Sequence, residues 1–212
     1  MIRVLVVDDH SVVRAGICRL LEAEADIAVV GDTGSGHEAV RLSRQKRPDV
    51  VVLDYGLPDL DGLETTQQIV QLSPAPKIVI LTMHASEEYA TRLIRAGAVG
   101  YVVKTAPVEQ VLEAVRKVAV GKLYVSNTIM ERMVGRLANP VADSPEALLS
   151  NRELQVLIRL AQGMSTKEVA EALCLSASTV DTYRRRILEK LNLRNNADMT
   201  RFAIRRKLIH LE

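Results

Sequence analysis

The sequence predicts an α/β chain: a five-stranded, doubly wound parallel sheet, followed by a second, all-α domain built on a helix-turn-helix. Three observations carry this expectation. Short Val- and Ile-rich runs alternate with amphipathic, helix-length segments through the first 120 residues. The stretch 138–148, "ANPVADSPEAL", then breaks the pattern with two prolines and little periodicity, as a linker does. Beyond it every segment reads as a helix.

The apolar runs are "IRVLVV" (2–7), "IAVVG" (27–31), "DVVVLD" (49–54), "KIVILT" (77–82) and "GYVVK" (100–104). Runs this short and apolar on both faces fit strands buried between helices. Helical segments fall near 11–23, 35–45, 62–71, 86–96 and 107–120. Five β-α units in succession imply right-handed crossovers and helices on both faces of one sheet. A short helix near 126–137 precedes the linker, and four helices follow, near 151–162, 165–173, 177–191 and 195–207. The expected divisions are 1–125, 126–147 and 148–212.

Composition narrows the function classes. Hydrophobic residues make up 48% and charged residues 25% of the 212, the profile of a soluble globular protein. Nothing approaches the roughly 18–20 apolar residues of a membrane span, and the first residues lack the features of a signal peptide, so the cytoplasm is the expected compartment. Cys18 and Cys174 belong to no metal or redox spacing. The net charge of +2 is uneven: residues 1–125 carry 14 Lys/Arg against 16 Asp/Glu, and 126–212 carry 14 against 10. Within 184–207 there are nine basic and two acidic residues. Only the back end suits a polyanion.

Doubly wound sheets work at the carboxyl ends of their strands. Asp8 and Asp9 follow the first strand and Asp54 ends the third, its neighbour at the switch point, so three carboxylates converge. Crowded carboxylates repel unless a cation is present, and hard oxygens suit Mg²⁺. Thr82 ends the fourth strand and Lys104 the fifth. A hydroxyl, an ammonium and a metal around a carboxylate are what a phosphoryl group needs, with Asp54 as the nucleophile. Gly31, Gly34 and Gly36 are spaced as GxxGxG with no following GK[ST], which indicates a turn rather than a nucleotide loop. His10, His37, His84 and His210 share no ligand spacing and read as surface or cap residues, and Asp59 and Asp61 as loop formers.

Toward the C-terminus, "STKEVAEALCLSASTVDTYRRRILEKL" (165–191) begins with a capping box at Ser165 or Thr166 and Glu168, breaks at Leu175-Ser176, and resumes as a helix near Ala177. In a helix-turn-helix the second helix enters the major groove. Val180, Ile187 and Leu191 fall on its inward face, while Ser178, Asp181, Thr182, Arg185 and Glu189 fall opposite. That mixed face suits base-edge readout, with Arg184, Arg186, Lys190 and Arg194 placed for phosphates.

"VLVVDDH", "VVVLDYGLPDLDG", "VILT" and "GYVVK" resemble the signatures of receiver domains, whose sheet is flavodoxin/CheY-like. "LLSNRELQVLIRLAQGMSTKEVAEALCLSASTVDTYRRRILEKLNLRN" resembles the LuxR-type helix-turn-helix, so the whole chain is similar to NarL/FixJ-family two-component response regulators. The resemblance implies Asp54 as phosphoacceptor; Asp8, Asp9, the Asp54 carboxylate and the Gly56 carbonyl as Mg²⁺ ligands; Lys104 beside the phosphoryl group; and Thr82 and Tyr101 as a switch pair, the tyrosine following the threonine inward. It implies DNA contacts at Ser178, Thr179, Asp181, Thr182, Tyr183, Arg185, Arg186 and Lys190. Its implied partners are a sensor histidine kinase, double-stranded promoter DNA and, when phosphorylated, a second copy of the chain. The activity implied is regulation of transcription, not turnover of a substrate. Leu57 stands where the family often has Met, Asp181 where it often has Lys, and Tyr183 where it often has His. An aspartyl-phosphate hydrolase on a similar sheet would carry DxD at the first strand, whereas this chain has adjacent Asp8-Asp9.

Overall fold

The computed structural model describes residues 1–83, 87–131, 149–173, 175–206 and 208–209. His84, Cys174, His210, the linker 138–148 and the second half (132–137) of the helix expected over 126–137 lie outside them; residues 127–131 are helical. The chain divides into two compact units, Met1–Gly135 and Arg136–Glu212.

In the first unit the order is β1 (Ile2–Val7), α1 (Ser11–Glu22), β2 (Ile27–Thr33), α2 (Gly36–Lys46), β3 (Val50–Asp54), α3 (Gly62–Ile69), β4 (Lys77–Thr82), α4 (Glu87–Arg95), β5 (Gly100–Val103), α5 (Glu109–Ala119) and β6 (Tyr124–Val125). All strand pairs are parallel, in the order β2-β1-β3-β4-β5-β6. Among the described residues the sheet therefore has six strands, not the five expected. Its extra member is a two-residue pairing of Tyr124 and Val125 with Gly100 and Tyr101, too short to leave a periodic signal in the sequence.

Central strands are apolar throughout because both faces are covered. Val50–Asp54 is buried at every position, and Val4, Val6, Val52, Val79 and Leu81 pack against Ile17 and Leu21 of α1 and Val111, Val115 and Val118 of α5. Helix starts are specified locally: Ser35 and Asp61 accept from the N–H groups of Glu38 and Glu64 to cap α2 and α3. Asp59, in the loop after β3, caps α2 a second time by accepting from the Ser35 hydroxyl (2.6 Å) and the Gly36 N–H (2.8 Å). These bonds, with those from His37, hold its carboxyl well below the usual range although partial burial opposes them.

The second unit holds α6 (Asn151–Ala161), α7 (Thr166–Ala172), α8 (Ala177–Leu191) and α9 (Asn196–Arg205). Ser150 and Ser165 each form a full capping box, with Glu153 and Glu168 reaching back to the cap N–H. Leu154, Leu157, Ile158, Val169, Val180, Ile187, Met199 and Ala203 form its interior.

The turn after β3 depends on Gly62, whose N–H donates to Tyr55 O at 3.0 Å. A Cβ there would lie 2.6 Å from Tyr55 Cα and 3.0 Å from Asp54 O, both backbone atoms. Gly62→Ala should cost about 2 kcal/mol in urea unfolding through overpacking. Gly16→Ala, on the open face of α1 with nothing within 4 Å, should be neutral or stabilising.

Candidate functional site

The parallel register brings the ends of β1, β3, β4 and β5 to one edge. Val7 pairs with Leu53, Asp54 with Leu81, and Thr82 with Val103, so Asp8, Asp54, Thr82 and Lys104 fall side by side. Asp8 and Asp54 are buried, and ligand atoms of Asp8, Asp9, His10 and Asp54 all lie within 4.8 Å of one another.

Lys104 ties the edge together. Its Nζ lies 2.7 Å from Asp8 Oδ2 and 3.0 Å from Asp54 Oδ2, while its N–H donates to Thr82 O at 2.7 Å. Burial pushes the Asp54 carboxyl above the ordinary range; the ammonium opposes this, and the Asp8 charge reinforces it. For Lys104, burial alone would lower the ammonium, but Asp54 and Asp8 outweigh it and hold the charge on. Two carboxylates and one ammonium leave a surplus negative charge in a desolvated place, with Asp9 at its rim. That donor set of hard oxygens, more acid than base, fits a divalent cation.

Thr82 is buried, and Tyr101 is fully buried, which pushes its phenol up. The Tyr101 ring is packed in the interior beside the strand that ends at Thr82. Gly56 lies two residues beyond Asp54 and donates its N–H toward that carboxylate.

Two contributors carry no clear mark in the sequence. His10 is exposed, as expected, yet its Nδ1 sits 2.6 Å from Asp9 Oδ1 and its N–H donates to Asp8 Oδ1 at 2.9 Å. Its place directly after the acid pair is the one available signal. Tyr89 of α4 meets Tyr55, the residue after Asp54, edge to face at 4.9 Å. Helical periodicity marks Tyr89 only as a core position.

In the second unit, α7 and α8 are joined by a tight turn closed by Leu175 N–H to Ala170 O at 2.8 Å, and Ser176 caps α8 through Thr179 N–H. Val180 and Ile187 are buried, and Leu191 is half-buried. Ser178, Asp181, Arg185 and Arg186 are exposed, while Thr179, Thr182 and Tyr183 are half-buried. Ser178 and Thr179 hydroxyls bond to Ser176 Oγ, and Thr182 Oγ1 donates to Ser178 O. Two cations expected at phosphates have partners inside the unit: Arg184 Nε donates to Asn196 Oδ1 at 2.6 Å, and Lys190 Nζ lies 2.7 Å from Glu153 Oε2.

Residues 4–116 match the family model of the response regulator receiver domain, and residues 147–203 that of bacterial regulatory proteins of the luxR family. The response regulator GacA of Pseudomonas aeruginosa is 38% identical over 210 residues, covering 99% of this chain and 98% of its own. The response regulator UvrY of Escherichia coli K12 is 39% identical over 213 residues, covering 100% and 98%. Among solved structures, the response regulator ChrA of a heme-sensing two-component system shares 32% identity over 98% of each chain, with a TM-score of 0.54. A LuxR-family two-component response regulator from Aurantimonas shares 35% identity over 66% of this chain and 99% of its own, with a TM-score of 0.63. The chain belongs to the response regulators, and within them to the NarL/FixJ family. It joins a receiver domain to a LuxR-type DNA-binding domain. Among the described residues no helix is long and apolar enough to cross a membrane.

Glu153 shows what Lys190 does within the fold. Burial would raise its carboxyl, but the Lys190 ammonium and the Ser150 N–H hold it below the ordinary range. A depressed carboxyl stabilises above its unfolded pKa, and that contribution fades as pH falls through the folded value. Lys190→Ala should therefore cost about 1 kcal/mol at neutral pH, allowing for screening at the half-exposed ammonium. The loss should vanish in acid, once Glu153 is protonated, as followed by thermal unfolding across pH.

Proposed function

We propose that this response regulator is switched by phosphorylation of Asp54 and that the switch controls sequence-specific DNA binding and transcription. The observation that carries the reading is the Lys104 ammonium bridging buried Asp54 and Asp8 at 3.0 and 2.7 Å. An Asp54 oxygen attacks the phosphorus of a phosphohistidine on a sensor kinase, or of a small phosphodonor. A P–O bond forms, and the bond to the leaving group breaks with its electron pair departing on that group. Asp8, Asp9, Asp54 and the Gly56 carbonyl would hold Mg²⁺, which neutralises phosphoryl oxygens when bound.

Lys104 then exchanges its contact with the Asp54 carboxylate for the incoming phosphoryl oxygens, and the Thr82 hydroxyl turns toward them. Tyr101 keeps to the inner position beside Thr82, and the surface near β4 and β5 is biased to one of two states. Residues 1–125 form the receiver, 126–147 a short helix and linker, and 148–212 the DNA-binding domain. Phosphorylation favours a homodimer, whose two α8 helices meet repeated half-sites. Ser178, Thr179, Asp181, Thr182, Tyr183 and Arg185 face base edges, and Arg186 a phosphate. Lys190 reaches a phosphate only by giving up Glu153. The chain works in the cytoplasm and turns over no substrate beyond its own phosphorylation and dephosphorylation.

Incubation with a small phosphodonor and Mg²⁺ should add one phosphoryl group to wild type and tighten binding to a selected DNA about 10-fold. Asp54→Ala should incorporate none and bind DNA equally with or without the donor. Incorporation that persists in Asp54→Ala removes the assignment.

A further inference from the structure

We infer that the groove between the end of α2 and the turn after α3 is a binding site for a small organic phosphate. It lies where β3 and β4 begin, at the opposite edge of the sheet from Asp54, and is independent of the acceptor pocket. The groove encloses about 300 Å³ and is lined by Ser43, Arg44, Arg47, Gln71, Leu72 and Pro74. That volume sits at the small end of ligand pockets, which run from roughly 300 to 1,000 Å³. Ser43 is 3% exposed, and its Oγ finds no hydrogen-bond partner among the described residues. A buried hydroxyl left unpaired is costly to the fold, and a ligand in the groove would satisfy it. Arg44 and Arg47 are exposed, and among the described residues no carboxylate pairs with either guanidinium.

Basic residues at the end of a helix ordinarily answer its negative pole. In α2 that pole is already answered. The Arg3 guanidinium donates to Lys46 O at 2.7 Å and to Arg47 O at 3.3 Å, and the Arg47 N–H donates to Ser43 O at 3.1 Å. Arg47 closes the helix at φ 46° and ψ 60°, the left-handed position usually given to glycine or asparagine. Glycine would sit there without strain, so helix termination supplies no reason for a guanidinium. The charge then selects the ligand. Two arginines match the charge of about −1.5 to −2 that a phosphate monoester carries at neutral pH, and the guanidinium fork fits its oxygens bidentately. The groove has room beyond the phosphate itself. Leu72 and Pro74 give the organic part an apolar wall, and the Gln71 amide offers it both a donor and an acceptor.

The test titrates the full-length chain by calorimetry, at low salt and without Mg²⁺, with adenosine monophosphate, glycerol 3-phosphate and phosphoserine. Adenosine, glycerol, serine, inorganic phosphate and succinate serve as controls. At least one monoester should bind, one molecule per chain and more tightly than inorganic phosphate or succinate, while its unphosphorylated counterpart does not bind. Arg44→Gln/Arg47→Gln should weaken that monoester about 10-fold or more. Its thermal midpoint should match wild type, because no ion pair inside the unit is lost. Ser43→Ala should also weaken binding, with a midpoint unchanged or raised, since the hydroxyl it removes has no partner in the fold. Affinity retained by the arginine variant places binding elsewhere and overturns the inference. Succinate or inorganic phosphate binding as tightly as the best monoester overturns it too, by showing a site that reads charge alone. Failure of all three monoesters to bind overturns it outright.

Discussion

The receiver pocket depends on one ammonium between two buried carboxylates. Lys104 closes two strand ends whose carboxylates would otherwise repel, and a buried charge stripped of its partner costs about 3–5 kcal/mol. The arrangement is nonetheless incomplete by charge, since Asp8, Asp54 and the rim carboxylate of Asp9 outnumber the single Lys104 cation. That excess of carboxylate over ammonium fits a divalent cation, and it is the feature on which the proposed phosphorylation rests. Function is built from the part of the electrostatics that folding leaves unsatisfied.

From that pocket, connections run outward through packing. Tyr55 follows Asp54 directly and meets Tyr89 on α4, so the loop after Asp54 touches a helix of the neighbouring β-α unit. Thr82 and Tyr101 occupy adjacent strands, β4 and β5, and both are buried. Interfaces packed this closely move between discrete arrangements rather than deforming gradually. That property suits a two-state output.

Much of this was legible in the chain because strand ends are marked by abrupt chemistry. Asp8, Asp54, Thr82 and Lys104 each terminate an apolar run, and a parallel register obliges such termini to meet. Helix starts were equally legible where caps are explicit, at Ser165 with Glu168. The sixth strand was not, since two residues cannot show a period of two. The engagement of Lys190 with Glu153 was hidden for another reason: the two are 37 residues apart, and only tertiary packing turns a basic residue on α8 into a partner of α6. His10 escaped because spacing rules look for repeated ligands, whereas its position comes from the turn that opens α1.

Where an ion and a phosphoryl mimic settle decides the role of Asp54 most directly. A crystal structure with Mn²⁺ and beryllium fluoride should place one anomalous peak among Asp8, Asp9 and Asp54, with the beryllium bonded to an Asp54 oxygen and a fluorine within reach of Lys104. An anomalous peak elsewhere, or beryllium on a different carboxylate, would contradict that assignment.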